Sequence, residues 1–422
     1  MSENTCASGE AIKRVGYVLL WFPLASETFI FREIRDLREQ GLDIRVYTMY
    51  GSRLAGCSRI MRDYDGPVTR MGTKALFSIL AAFFRAFRKS PSLVRKLMRQ
   101  GLFRKTRNLE ALAENTWCFF SGFLLAEKCR EDGVGLIHSA WANGPATAAW
   151  VASSLCGAPF AFTGRAGDIY PEDGILREKA ADALFIRANN AANVKYLSSF
   201  CPADDRDRVV LVYNGLTFGR AAETRRKIPA PPYHVLAVGR FARTKGFPEL
   251  FTAIARLRRE NFPVDLTLVG DGPWRGKLMA LRKRLGLESV VRLTGFVPND
   301  QLSGYMSELD LLVVPSVVHT NGDRDGIPNV IMEALSMGMP VVATDVCGIG
   351  EVVRDGESGL LAPQRDSAAL ARAIRYMLEN GEKALEMGKN GQKLVGEMFD
   401  AEKNAKELKK LYLEAFCHAS KR

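Results

Sequence analysis

Short apolar runs of strand length alternate with helix-like segments along nearly the whole chain, and this alternation restricts the fold more than any other feature. "VGYVLLWF" reads as a buried strand, followed by a helix pattern from about Thr28 to Gln40 and a strand at "DIRVYTMY". "VGLIHSA", "PFAFTG", "ALFIRA" and "RVVLVYN" continue the series, with the apolar helix "ATAAWVASSL" between the first two. Strands that lack a polar face need cover on both sides, and the intervening helices supply it, which implies a parallel sheet. The stretch "RRKIPAPPYH" interrupts the series, since Pro229, Pro231 and Pro232 make a stiff, extended connection. Alternation restarts with "HVLAVGR", "VDLTLVG", "VVRLTGF", "LDLLVVPS", "MPVVAT" and "SGLLA". At 422 residues the chain is too long for one core. The expected fold is therefore α/β, with two Rossmann-like, doubly wound parallel-sheet domains at 11–227 and 233–394, a Pro-rich linker at 228–232, and a C-terminal helix at 395–422 that packs back on the first domain. Ligands of such sheets bind beyond the carboxyl ends of the strands, so the expected site is the cleft between the two domains.

Charge is concentrated in one place. From Gly66 to Leu109 there are eleven Lys or Arg and no acid, so with a net charge of +12 the remainder of the chain carries about +1 (12 − 11). Such blocks mark interaction surfaces. Inside the basic region 70–107, "KALFSILAAFFRAFRK" sets Leu76, Phe77, Leu80, Phe83, Phe84 and Phe87 at helical spacing, with Arg85, Arg88 and Lys89 toward its end. A basic amphipathic helix suits an anionic membrane surface. The alternative is a helix buried by its apolar face with solvated basic flanks. Nucleic acid is not expected as a partner, because the aromatics lie in the apolar stripe and are not spaced as stacking platforms. No apolar run approaches the roughly 20 residues of a membrane span, and "MSENTCASGEAIKR" lacks the apolar core of a secretory signal. Eight cysteines without a C-x-x-C pair point to reduced thiols. These features together predict a cytoplasmic protein, peripheral at the inner face of the plasma membrane.

The stretch "DRDGIPNVIMEALSMGMPVVAT" carries the chemistry. It reads as a loop after the strand "DLLVVPS", then a helix with Val330, Ile331, Ala334 and Leu335 inward, a stop at Gly338 and the next strand. Pro328 suits the first helical turn, where a missing N–H costs nothing. Asp325 and Gly326 precede the helix, whose free N–H groups and dipole favour phosphate. Glu333 lies about five residues in, roughly 7–8 Å along the axis, and its side chain leans back toward the N-terminus. Two carboxylates flanking a phosphate-friendly helix start suit a ligand with hydroxyls at both ends and phosphate between them, a nucleotide-sugar. The plainer alternative is that Asp325 caps the helix and Glu333 is a surface residue.

This stretch resembles the E-x7-E motif of the retaining glycosyltransferases of family 4, which have the two-Rossmann GT-B fold, and "DRDGIPNVIMEALSMGMPVVATDVCGIGEVVRDGESGLLAP" is similar to their exopolysaccharide, colanic-acid-type branch. Asp325 stands where the family usually has Glu, one methylene shorter. The resemblance implies that Asp325 holds the donor hexose and Glu333 the nucleotide ribose, with Gly326, Ile327, Asn329 and Val330 at the helix start as further donor contacts. It also implies that Arg240 and Lys245 of "VGRFARTKGF" neutralise the leaving diphosphate, so that no metal and no cofactor are needed. Gly272 and Pro273 of "GDGP" correspond to a turn near the nucleotide. In the first domain, Ser26, Glu27 and Thr28 occupy the loop that is glycine-rich in many relatives, and are expected near the donor phosphates or the acceptor. "FTGRAGDIY" resembles the family's "FTAHAYDIY"; Arg165 replaces a His, and an Arg cannot act as a neutral imidazole. Asp168 reads as a cap or loop residue. His138, after "VGLI", is expected to face the cleft, and His319 to reach toward the sugar. The partners implied are a UDP- or GDP-sugar and a lipid-linked or oligosaccharide acceptor.

Two other readings compete. "GDGPWRG" is a loose match to a dinucleotide loop but lacks the G-x-G-x-x-G spacing, and "RLTGF" ends the next strand without a ribose-binding acid, which weighs against an NAD-dependent oxidoreductase. A non-catalytic membrane-binding relative would need a dead sugar site. "DRD" matches a metal-binding D-x-D, but so does "DYD" at Asp63 to Asp65, so three letters decide nothing.

Overall fold

The computed structural model describes residues 14–102, 109–171, 174–216 and 227–419. Arg104, Lys105 and Arg107 of the basic block, and residues 11–13 and 217–226 of the expected first domain, lie outside the described residues. The chain packs as two compact units, residues 1–216 with 401–422, and residues 217–400.

The first unit holds seven strands: β1 (Arg14–Leu24), β2 (Asp43–Arg53), β3 (Val68–Arg70), β4 (Leu136–Ser139), β5 (Phe160–Gly164), β6 (Phe185–Ala188) and β7 (Val209–Leu211). Their order is β3-β2-β1-β4-β5-β6-β7 and every pairing is parallel. The second unit holds β8 (Tyr233–Val238), β9 (Val264–Val269), β10 (Val291–Gly295), β11 (Leu311–Val314), β12 (Val341–Thr344) and β13 (Leu360–Ala362), ordered β10-β9-β8-β11-β12-β13, again all parallel. The expected two Rossmann-like sheets are therefore present. Strand order reverses between β1 and β4 in the first sheet and between β8 and β11 in the second. At such points the loops leave to opposite faces and open a crevice at the carboxyl ends.

Apolar runs become two-faced cores. In the first sheet Val18, Tyr47, Ile137, Phe162 and Ile186 face a core with Phe119, Phe123 and Trp150, from the helices Leu109–Glu131 and Gly144–Cys156. Tyr17, Leu19, Val46, Leu136 and Phe185 face the other side, with Ile34 of the helix Thr28–Glu39 and Leu408 and Tyr412 of the C-terminal helix Ala401–Ala419. That last helix starts at Ala401 and not at 395: residues up to Met398 belong to a separate helix, Gly381–Met398, in the second unit. The stretch Ile228–Pro232 also belongs to the second unit: a Cβ on Gly381 would sit 2.6 Å from the Ile228 side chain and 3.5 Å from the Pro229 nitrogen, so the stretch packs against the start of that helix.

Under the C-terminal helix sits a buried polar cluster. Arg187, 1% exposed, donates to the Glu33 carboxylate and, through Nε and Nη2, to the carbonyls of Val212 and Tyr213 at 3.0 and 3.1 Å. Tyr17 donates its hydroxyl to the other Glu33 oxygen. Although burial pushes it up, the Arg187 charge holds the Glu33 carboxyl below its ordinary value. Tyr412 reaches the same cluster, and its hydroxyl has no hydrogen-bond partner among the described residues.

The helix Leu76–Lys89 differs from the sequence expectation. Ile79 and Ala82 are buried, and Phe83 packs edge-on against Phe120 and Phe123 of the helix Leu109–Glu131, at 5.4 and 5.1 Å between ring centres. Phe77 and Phe84 remain 84% and 61% exposed, with Leu76 and Leu80 beside them. The apolar stripe is thus split: one part seals the core and the other faces outward. Arg85 is held by a bidentate pair to Glu127, at 2.8 and 2.7 Å, whereas Arg88, Lys89, Arg95, Lys96 and Arg99 are exposed. Among the described residues no helix is long and apolar enough to cross a membrane, and all the cysteines are free.

Candidate active site

The switch point of the second sheet gathers the motif residues. The loop after β8, Gly239 to Gly246, carries Arg240 and Lys245; the loop after β11 carries Ser316 and Asp325. The two loops are bonded along their backbones. Val317 N–H donates to the Thr244 carbonyl at 2.8 Å, and Gly246, at φ +58°, lies so close to Pro315 that a Cβ would stand 1.7 Å from its carbonyl oxygen. Only glycine fits there. The "GDGP" turn supports the same loop from the other side. Phe241 N–H donates to the Asp271 carbonyl at 2.8 Å and Trp274 N–H to the Phe241 carbonyl at 3.0 Å. A Cβ on Gly272 would come within 2.7 Å of the Phe241 backbone. Gly272 therefore packs against the loop that carries the cations.

Lys245 Nζ donates to Asp325 Oδ1 at 2.8 Å, and Ser316 Oγ donates to Asp325 Oδ2 at 2.5 Å. Asp325 does not cap the following helix, Asn329–Ser336, which has no side-chain cap. Pro328 is its N-cap residue, one position earlier than the sequence suggests, and Gly338, at φ +63°, ends it just past Met337. The buried face is Ile331, Met332, Ala334 and Leu335; Val330 is half-buried and so is not the inward residue expected. Asn329 and Glu333 are half-buried, while Ile327 is buried and Gly326 half-buried in the loop. Arg240 is exposed, and Pro273 is exposed in the "GDGP" turn. His319 bonds through Nδ1 to Asn321 Oδ1 at 2.9 Å within its own turn.

In the first unit, the ends of β1, β4 and β5 bring together the loop Ser26–Thr28, Trp141 and Arg165. Ser26 is exposed and Thr28 half-buried; Glu27 is the N-cap residue of the helix Thr28–Glu39 but makes no side-chain cap bond. Burial pushes the Glu27 carboxyl up to about 7, opposed by the Arg165 charge and a bond from Trp141. Arg165 is buried, with its guanidinium 4.5 Å from the Phe29 ring centre and 5.4 Å from that of Trp141. It donates to Asn214 Oδ1 at 2.6 Å and to the Ala140 carbonyl at 3.4 Å; Nη2 is buried without a partner among the described residues. Asp168 accepts from the N–H groups of Arg165 and Ala142, at 2.7 and 2.5 Å, as a cap residue should, and burial pushes its carboxyl up to about 7.

His138 is a correction. It lies inside β4, not beyond it, and is fully buried. Its ring packs 5.2 Å from Tyr17 and 5.4 Å from Tyr412, and its Nε2 bonds Thr163 at 2.9 Å. Burial pushes its pKa down to about 3, so it is a neutral core residue. Sequence reasoning missed Ser316, Trp141 and Phe29. For Trp141 a signal existed: "SAWANG" follows a strand that lies at the order reversal. Among the described residues no group of three His, Cys, Asp or Glu side chains is placed to share a metal ion.

Two all-parallel sheets, with Lys245 and Asp325 meeting at the switch point of the second, make the two-Rossmann architecture of the GT-B fold. Residues 221–394 match the family model of glycosyl transferases group 1. The chain is 26% identical over 385 residues to WcaL of Escherichia coli K12, named a colanic acid biosynthesis glycosyltransferase, covering 86% of this chain and 89% of that one. It is 32% identical over 316 residues to TuaC of Bacillus subtilis 168, named a teichuronic acid biosynthesis glycosyltransferase, covering 69% of this chain and 74% of that one. Among solved structures, Anabaena Alr3699/HepE in complex with UDP and glucose superposes with a TM-score of 0.66 at 18% identity, over 95% of this chain and 99% of that one. The chain belongs to the group 1 glycosyl transferases.

Proposed function

We propose that this glycosyltransferase moves a hexose from a UDP- or GDP-sugar to a lipid-linked or growing surface polysaccharide, with retention at the anomeric carbon and without a metal or cofactor. The observation that carries the reading is the convergence of Lys245, Asp325 and Ser316 at the sheet's switch point, beside the helix that bears Glu333. The roles follow from chemistry. Asp325 accepts from sugar hydroxyls and Glu333 from the ribose, while Arg240 and Lys245 stabilise charge on the departing diphosphate. The bond from the anomeric carbon to the phosphate oxygen breaks, the acceptor oxygen bonds that carbon on the same face, and the leaving phosphate takes the acceptor's proton. No protein nucleophile is required. The names of WcaL and TuaC, both tied to surface polysaccharides, support the acceptor class.

The outward stripe Phe77, Leu80 and Phe84, with exposed Arg88 and Lys89 at the end of the same helix and exposed Arg95 and Lys96 on the helix that follows, supports a peripheral site on the anionic inner face of the plasma membrane, where lipid-linked acceptors are presented. The test of the donor reading is calorimetric titration of UDP, GDP, ADP and NAD into the purified protein, with Glu333→Gln as control. Binding of UDP or GDP that is lost in the variant is expected, as is turnover that survives EDTA. Binding of NAD alone would overturn the reading.

A further inference from the structure

The Asp325 carboxylate has two partners of opposite character. Ser316, on Oδ2, is 0% exposed and sits just past β11. Its carbonyl accepts from Thr344 Oγ1 at 2.5 Å, so it is tied to the end of β12 as well. It cannot follow a ligand. Lys245, on Oδ1, is the end of a long chain with 22% of its side chain exposed, and its stem runs beside Gly239, where a Cβ would lie 3.4 Å from it. The ammonium can swing about that stem. One partner is fixed and the other is free to leave.

We propose that Ser316 positions Asp325, and that donor binding exchanges Lys245 from the Asp325 carboxylate to the diphosphate, freeing Oδ1 for a sugar hydroxyl. The inference rests on the donor site proposed above. A diphosphate carries more negative charge than one carboxylate and so takes the ammonium. Asp325 keeps its Ser316 bond and gains the hydroxyl in place of the lysine. After transfer the hydroxyl has gone, and the carboxylate competes for Lys245 again. That competition loosens the spent nucleotide, so the pair discriminates intact donor from product and hastens release.

The experiment is calorimetric titration of UDP and GDP into the wild type, Asp325→Asn, Lys245→Ala and the double variant. Asparagine keeps the shape and can still accept from Ser316. Asp325→Asn is expected to tighten the nucleotide that binds wild type by about three- to tenfold, the range for a partly exposed ion pair of about 0.7–1.4 kcal/mol. The gain is expected to vanish in the Lys245→Ala background. An equal gain there would mean simple repulsion between carboxylate and phosphate, and no gain in either would mean no competition; both overturn the exchange while leaving the donor site standing. Binding of neither UDP nor GDP to wild type or to Asp325→Asn would overturn the donor site and the exchange together. Ser316→Ala is expected to weaken nucleotide binding in wild type, because the unanchored carboxylate turns wholly to Lys245, and to change nothing in the Asp325→Asn background. The same loss in both backgrounds would make Ser316 a structural residue only.

Discussion

Replacing Phe77 and Phe84 together by serine should release the protein from anionic vesicles without unfolding it. The two rings are 84% and 61% exposed, so they present about one and a half full side chains to whatever covers that face. Transfer of a whole Phe from water is worth about 1.5–3 kcal/mol, which gives roughly 2–4 kcal/mol for the pair and at least a thirtyfold loss in partitioning. Because neither ring seals the core, unfolding free energy should change by less than about 0.5 kcal/mol. Neutralising Arg88 and Lys89 to Gln should remove about 1 kcal/mol each, an effect that fades at high salt. Arg85 is omitted from that set because Glu127 already engages its guanidinium. The assay is co-sedimentation with vesicles of phosphatidylglycerol and phosphatidylcholine at low and high salt. Unchanged sedimentation of the double serine variant would refute the reasoning, and binding lost together with stability would mean that the rings pack against the protein after all.

Three further outcomes follow from the first unit. Glu33→Gln leaves Arg187 buried beside a neutral amide, and breaking such a pair should cost about 3–5 kcal/mol, read from urea unfolding. Tyr412→Phe removes a buried hydroxyl that bonds nothing among the described residues, so stability should hold or rise by up to about 1 kcal/mol in the same assay. Glu27 has a folded pKa of about 7 against an ordinary 4.5, so the folded state binds the extra proton between those values. Its contribution is fully present below about 4.5 and is lost as pH rises through 7; Glu27→Gln should flatten that part of the stability curve, and an unaltered curve would mean the carboxyl is ionised throughout.

What the chain reveals on inspection, and what it hides, divides along a physical line. Strands covered on both faces must be apolar throughout, so "VGYVLLWF" and "LDLLVVPS" are visible as strands without any knowledge of their neighbours. Asp325 and Glu333 are visible because one loop and one helix carry both. Faces are another matter. Which side of β4 holds His138 depends on the pleat, and a strand end misjudged by one residue turns a core ring into an imagined ligand. The helix Leu76–Lys89 is apolar over much of its circumference, and its spacing does not say that Phe83 meets the helix Leu109–Glu131 while Phe84 stays largely exposed. Pairings across the chain are the most hidden. Lys245 and Asp325 are 80 residues apart and meet because β8 lies beside β11. Once that order is known, the contact is almost compelled. The loops leaving the carboxyl ends of adjacent parallel strands share one edge, so a cation in the first and a carboxylate in the second are brought within reach of each other, both partly withdrawn from water. A ligand that enters there has to offer each a better partner than the other, and a sugar diphosphate does so at both ends.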